Sequence, residues 1–149
     1  MSECEAVIMT VEEIVGAFQG AMLHKSADEL ADLYAEDGLH EFPFGGLPPY
    51  EGREAVRAGY RAAWGASPAV PREVERVALH RTDDPEVVVV EQNAHVQVGD
   101  RPITVPGLLM LRIRDGRIVH CKDFMDSSAI AKVREAALSS GLGSGLSSG

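Results

Sequence analysis

Beyond Trp64 the hydrophobic repeat of this chain changes from a helical period of about 3.6 to a strand period of 2. That switch constrains the fold more than any other feature. Before it, Thr10-Val-Glu-Glu13 forms a capping box, and Val11, Ile14, Val15, Phe18, Met22 and Leu23 recur at helical spacing to about His24. Ser26-Ala-Asp-Glu29 repeats the device and predicts a short helix ending near Tyr34, with Leu30 and Leu33 inward. Asp37–Phe44 reads as a strand, stopped by Gly45, Gly46, Pro48 and Pro49, and Gly52–Trp64 as a third helix with Val56, Tyr60 and Trp64 along one side.

After the switch come four strand-like runs, Val74–Thr82, Glu86–Val98, Ile103–Arg114 and Arg117–Met125. Asp83-Asp84-Pro85, Gly99-Asp100 and Asp115-Gly116 separate them. The last pair is a type I′ hairpin signal, so the final strands are expected to pair antiparallel. Ser127–Leu138 reads as a closing helix. The order predicts an α+β fold: a curved, mostly antiparallel sheet cupping three N-terminal helices, with a cavity between the layers. Residues 1–138 are expected to form a single domain, and the Gly/Ser-rich 139–149 a disordered tail.

Composition narrows the function. A net charge of −9 without a basic cluster argues against nucleic acid and against an anionic membrane surface. No run approaches the ~20 apolar residues that span a bilayer, and the acidic N-terminus lacks signal-peptide character, so a cytoplasmic location is expected. Arg outnumbers Lys, and Ala and Gly are abundant, as in a GC-rich bacterial gene. Cys4 and Cys121 make no disulfide framework, and the five histidines lack ligand spacing, so no metal is expected.

Three stretches, LADLYAEDGLHEFPFGGLPPYEGREAVRAGY, VVVVEQNAHVQV and LLMLRIRDGRIVHCKDFMD, resemble the SnoaL-like polyketide cyclases of the nuclear-transport-factor-2-like superfamily. The likeness runs from Val11 to Val133, with features of the small phenazine-biosynthesis proteins in the strand and the DFM ending. It implies a cone-shaped α+β barrel, a homodimer, and a pocket for a small, largely apolar organic molecule.

The family contains cyclases, isomerases, epoxide hydrolases and non-catalytic binding domains, so the residues must decide the chemistry. Asp123 sits where the resemblance implies a catalytic acid. Alternation puts Val119, Cys121, Asp123 and Met125 on one face, giving the carboxyl apolar neighbours. His95 matches a family strand position and shares a face with Glu91 and Asn93. These three form either a wet outer face or a polar patch in the pocket. His40 and Phe42 lie on one side of their strand and Glu41 on the other. Ketosteroid isomerases carry their base at the position of Phe42, and a Phe cannot take a proton. The strands preceding Asp123 offer no Arg-x-Asp partner of the epoxide-hydrolase kind, and His95 or Glu91 could substitute only by a different arrangement.

The expected catalytic residues are therefore Asp123, His95 and His40, with Phe42, Tyr60, Trp64, Glu91, Asn93, Met110 and Cys121 as substrate-binding candidates. The expected function is cofactor-free general acid–base chemistry on a carbonyl compound. A binding or scaffold module and an epoxide-hydrolase-like enzyme are the alternatives.

Overall fold

The computed structural model describes residues 8–141. Helices α1 (Val11–His24), α2 (Ala27–Ala31) and α3 (Arg53–Ala66) precede the meander, with β1 (Tyr34–Glu41) and the two-residue β2 (Tyr50–Glu51) between α2 and α3. Then follow β3 (Val70–Arg81), β4 (Val87–Val98), β5 (Arg101–Arg114), β6 (Arg117–Met125) and α4 (Ser127–Ser139). The six strands form one sheet in the order β2-β1-β6-β5-β4-β3. β3 to β6 pair antiparallel in sequence, whereas β1 joins β6 in parallel. The expected α+β architecture of a mostly antiparallel sheet against helices is the one observed.

Local chemistry explains most element ends. The Thr10 hydroxyl accepts from the Glu13 amide, and the Glu13 carboxylate accepts from the Thr10 amide, completing the capping box of α1. Ser26 caps α2 through the Glu29 amide, and Asp126 caps α4 through the Ser128 and Ala129 amides. Asp115 and Gly116 both have positive φ, 53° and 72°, as the type I′ turn between β5 and β6 requires.

Several boundaries differ from the sequence expectation: β1 runs Tyr34–Glu41 instead of Asp37–Phe44, the short β2 is additional, and β3 begins at Val70 instead of Val74. α2 stops at Ala31, and Tyr34 opens a strand instead of ending a helix. On β6 the register slips between Arg112 and Ile113, so Ile118 faces the core and Val119 is the bulged residue. Val119 therefore does not share a regular face with Cys121, Asp123 and Met125.

The core lies between the inner sheet face and the helices. Ile14, Val15 and Phe18 of α1, Leu30 of α2 and Val56 of α3 meet Val88, Val90, Leu109, Leu111 and Ile118 of the sheet. A smaller cluster joins Val96 and Val98 to Ala136 and Ala137 of α4. The Gly/Ser stretch assigned to a tail lies mostly outside the described residues. Among the described residues, no helix is long and apolar enough to cross a membrane.

Gly59, in the middle of α3, has a packing reason. A Cβ there would stand 2.3 Å from Cζ of the Tyr50 ring, so the ring lies flat against the helix backbone. Gly59→Ala should therefore destabilise the protein, although Ala is the better helix former by about 1 kcal/mol. Thermal unfolding checks this; an unchanged or raised melting temperature would show that Tyr50 moves aside freely.

Candidate active site

The parallel β1–β6 register sets His40 opposite Cys121 and Glu41 opposite Lys122, so Asp123 lies one step beyond, on the inner face. α3 is fastened above β1 by its first turn. The Gly52 amide donates to the Gly38 carbonyl at 2.8 Å, and Arg53 Nε donates to the Tyr34 carbonyl at 2.9 Å. Tyr60, one helical turn beyond the buried Val56, is thereby brought over β1.

Four side chains converge there. The Tyr34 hydroxyl lies 2.6 Å from His40 Nδ1, and His40 Nε2 lies 2.9 Å from the Tyr60 hydroxyl and 3.2 Å from Asp123 Oδ2. The Tyr60 hydroxyl donates to the same Oδ2 at 3.0 Å. With His40 neutral and its proton on Nε2, every member is matched: Tyr34 donates to Nδ1, Nε2–H points toward the Tyr60 and Asp123 oxygens, and Tyr60 donates to Asp123. Both bonds to Asp123 fall on Oδ2. Oδ1 has no partner among the described residues, and the Asp123 side chain keeps 19% of its surface exposed while that of His40 keeps none.

Aromatic rings close around the imidazole. Phe42 lies 4.8 Å, Tyr60 5.2 Å and Tyr50 6.0 Å from it between centroids. Burial pushes the Tyr60 phenol well above its usual range, and the neighbouring Asp123 charge adds to the effect. Burial likewise raises Tyr34 and the enclosed Cys121 thiol. The phenols are thus proton donors at neutral pH, and the carboxylate is the acceptor of the group.

Beside this cluster opens a cavity of about 810 Å³ between the ends of α1 and α3, the inner faces of β3 to β5, and α4. Trp64, packed on Tyr60 at 4.7 Å, lines it, as does Met125, two residues beyond Asp123 on β6. The remaining wall is mostly Ala, Val, Pro and Ile.

The structure brings together Asp123, His40, Phe42, Tyr60 and Trp64. It does not bring His95, Glu91, Asn93 or Met110 to them. On β4 the residues buried toward the helices are Val88, Val90, Gln92, Val96 and Val98, so the odd-numbered side chains lie on the outer face. There His95 bonds to Thr104 and Glu75, both at 2.9 Å, Glu91 to His80, and Asn93 to Glu75. Met110, paired with Val89 and Lys122, lies on the same outer face. Cys121 is fully enclosed next to Tyr34, so it supports the cluster from below and does not line the cavity.

One participant, Tyr34, and one inward polar residue, Gln92, are not evident from the sequence pattern. Tyr34 was assigned to a helix end; its signal was the six-residue spacing to His40 across Gly38, where a Cβ would meet the Ile118 carbonyl at 2.9 Å. The inward polar residue of β4 is Gln92, whose amide oxygen accepts from Gln19 of α1 at 3.0 Å in the core.

The SnoaL-like domain model matches residues 14–121, and the chain belongs to that family. Among solved structures it is similar to a protein of Catenulispora acidiphila DSM 44928 with a ketosteroid isomerase-like fold, solved in complex with trimethylamine. The two are 23% identical with a TM-score of 0.66, covering 80% of this chain and 90% of that one. A provisionally named polyketide cyclase of Xanthomonas campestris pv. campestris is 20% identical with a TM-score of 0.64, covering 80% and 93%. An LEH-like epoxide hydrolase of M. tuberculosis is 20% identical with a TM-score of 0.61, covering 80% and 85%. At these identities the likeness is one of fold, the cone-shaped α+β fold of the nuclear-transport-factor-2-like group. A comparison with the curated proteins finds no match.

The raised phenols have a consequence for stability. Above pH ~10 an unfolded chain releases protons from tyrosines that the folded protein still holds, so the folded state binds more protons and stability falls as pH rises. Below that pH the contribution is constant. Tyr60→Phe should make the alkaline decline shallower by about one proton. Denaturant unfolding between pH 9 and 11.5 checks this; an identical slope would place Tyr60 in contact with water.

Proposed function

We propose that the protein is an acid–base enzyme that isomerises, cyclises or dehydrates a small, largely apolar carbonyl compound. Asp123 Oδ1 is the proton acceptor in this reading. The observation that carries it is the convergence of His40 and Tyr60 on Asp123 Oδ2, which fixes the carboxylate and leaves Oδ1 without a partner among the described residues. A base held this way loses little orientation entropy when it reacts.

The step is a simple proton transfer. A C–H bond next to a carbonyl breaks, its proton goes to Oδ1, and its electron pair enters the enolate. The protonated carboxyl then returns the proton to another carbon, to an aldol oxygen, or to a departing hydroxyl. No external oxidant or reductant is needed. Tyr34 acts one step back as a positioning residue, holding His40, which with Tyr60 orients Oδ2. The cyclase and hydrolase names among the structural relatives are in keeping with a catalytic use of this fold.

Asp123→Asn should lower turnover by about 10²-fold or more, within the usual range of general acid–base catalysis. The test uses deuterium exchange of 2-acetylnaphthalene in D₂O, read by proton NMR. Exchange that Asp123→Asn reduces to the buffer rate supports the reading. Exchange equal in the two proteins sinks it.

On the same footing we assign the outer sheet face to a second copy of the chain. Val89, Leu108, Met110 and Phe124 form a half-buried apolar strip there, with the His95–Glu75 and His120–Glu41 pairs beside it. Light scattering should give twice the chain mass; a monomer would remove this assignment.

A further inference from the structure

The cavity beside Asp123 carries positive charge in an acidic protein. The chain has 23 acidic and 14 basic residues, yet the cavity wall contains Lys25 and Arg134 and no Asp or Glu. We infer that this cavity takes a carboxylate-bearing, largely apolar substrate whose anionic end is held by the Lys25 ammonium, with Arg134 of α4 as a second cation. The inference rests on the acid–base reading of the same pocket and names the class of substrate.

Lys25 is built into position. It closes α1 in the left-handed conformation at φ 51°, its amide bonding back to the Ala21 and Met22 carbonyls. An extended ammonium then reaches the loop between α3 and β3, donating to the Ser67 carbonyl at 2.9 Å and the Ala69 carbonyl at 3.0 Å. Two of its three N–H donors are taken, by neutral dipoles, and one remains. Among the described residues Lys25 makes no ion pair. Asp28, the carboxylate in the adjoining hollow, is already engaged by Arg57 at 2.7 Å and Arg61 at 2.8 Å.

A part-buried ammonium held in place by two neutral carbonyls and without a counter-ion is positioned to donate a charge-assisted bond to an anion. Burial also holds the Lys25 ammonium below its usual range, the signature of a partly desolvated charge. The wall around it is apolar, with Ala94, Val96, Val105 and Val133 facing Trp64. Lys25 thus marks the charged part of the cavity wall, and Met125, two residues beyond Asp123 on β6, the part that adjoins the strand of the carboxylate. A substrate with its carboxylate on Lys25 is fixed at one end, so the anchor sets orientation as well as affinity.

Trp64 is the single tryptophan and lines this cavity, so its fluorescence reports occupancy without turnover. The probes are 2-naphthoate and the near-isosteric neutral 2-acetylnaphthalene. Wild-type protein should bind the carboxylate at least about tenfold more tightly, with that preference falling as salt is raised. Lys25→Gln should abolish the preference while leaving 2-acetylnaphthalene binding unchanged, and Lys25→Arg should keep most of it. Arg134→Gln, at an exposed position, should reduce it without affecting folding. Equal affinities in the wild type, no quenching by either probe to millimolar concentration, or a preference retained in Lys25→Gln would each overturn the inference. Asp123→Asn separates the two readings: it should retain the carboxylate preference even where deuterium exchange shows no role for Asp123.

Discussion

Strand β1 enters the sheet parallel to β6, and this pairing joins the first third of the chain to its last strand. His40 is carried opposite Cys121, and Asp123 follows one step on. Two residues 83 apart in sequence come within hydrogen-bond distance because two strand registers agree. A one-residue slip of β1 would turn His40 outward and Leu39 inward, since side chains alternate between faces. The register is held from above as well, where Gly52 and Arg53 tie the start of α3 to the backbone of β1. The same fastening sets the height of Tyr60.

The network around His40 is costly to bury and is tolerated because its members satisfy one another. An imidazole with no exposed surface has both nitrogens matched, by Tyr34 on one side and by Tyr60 and Asp123 on the other. In a low-dielectric surrounding such bonds strengthen and an unmatched member is heavily penalised. Aromatic rings complete the shell, so the polar cluster sits in an apolar jacket from which the Asp123 side chain keeps some exposure while His40 keeps none. Function and stability are therefore coupled: deleting Tyr34 or His40 removes a positioning residue and also leaves a buried partner unpaired.

Much of the architecture was legible from local chemistry. Capping residues at Thr10 and Ser26, the Asp115-Gly116 turn and the period-2 runs act through contacts within a few residues, which is why they can be read without a structure. Asp123 and His40 were legible as polar groups interrupting apolar alternation. His95, Glu91 and Asn93 gave the same signal and lie on the other face. Period 2 divides a strand into two faces but does not say which is inside when both carry polar residues; on β4 the inward face includes Gln92, paired to Gln19. Tyr34 was hidden because the helix opened at Ser26 reads on to Tyr34 by its apolar spacing, whereas the structure ends that helix at Ala31 and starts β1 at Tyr34.

The sequence by itself determined the order of helices and strands, their caps and hairpin turn, and the acidic surface, because each depends on short-range chemistry or on a sum over residues. Only the tertiary structure decided that β1 lies beside β6, that Tyr34, His40, Tyr60 and Asp123 form one cluster, and that Lys25 reaches the loop after α3. These depend on long-range register and on which sheet face the helices cover. That choice is made by the burial of the whole core, and no local stretch of the chain contains it.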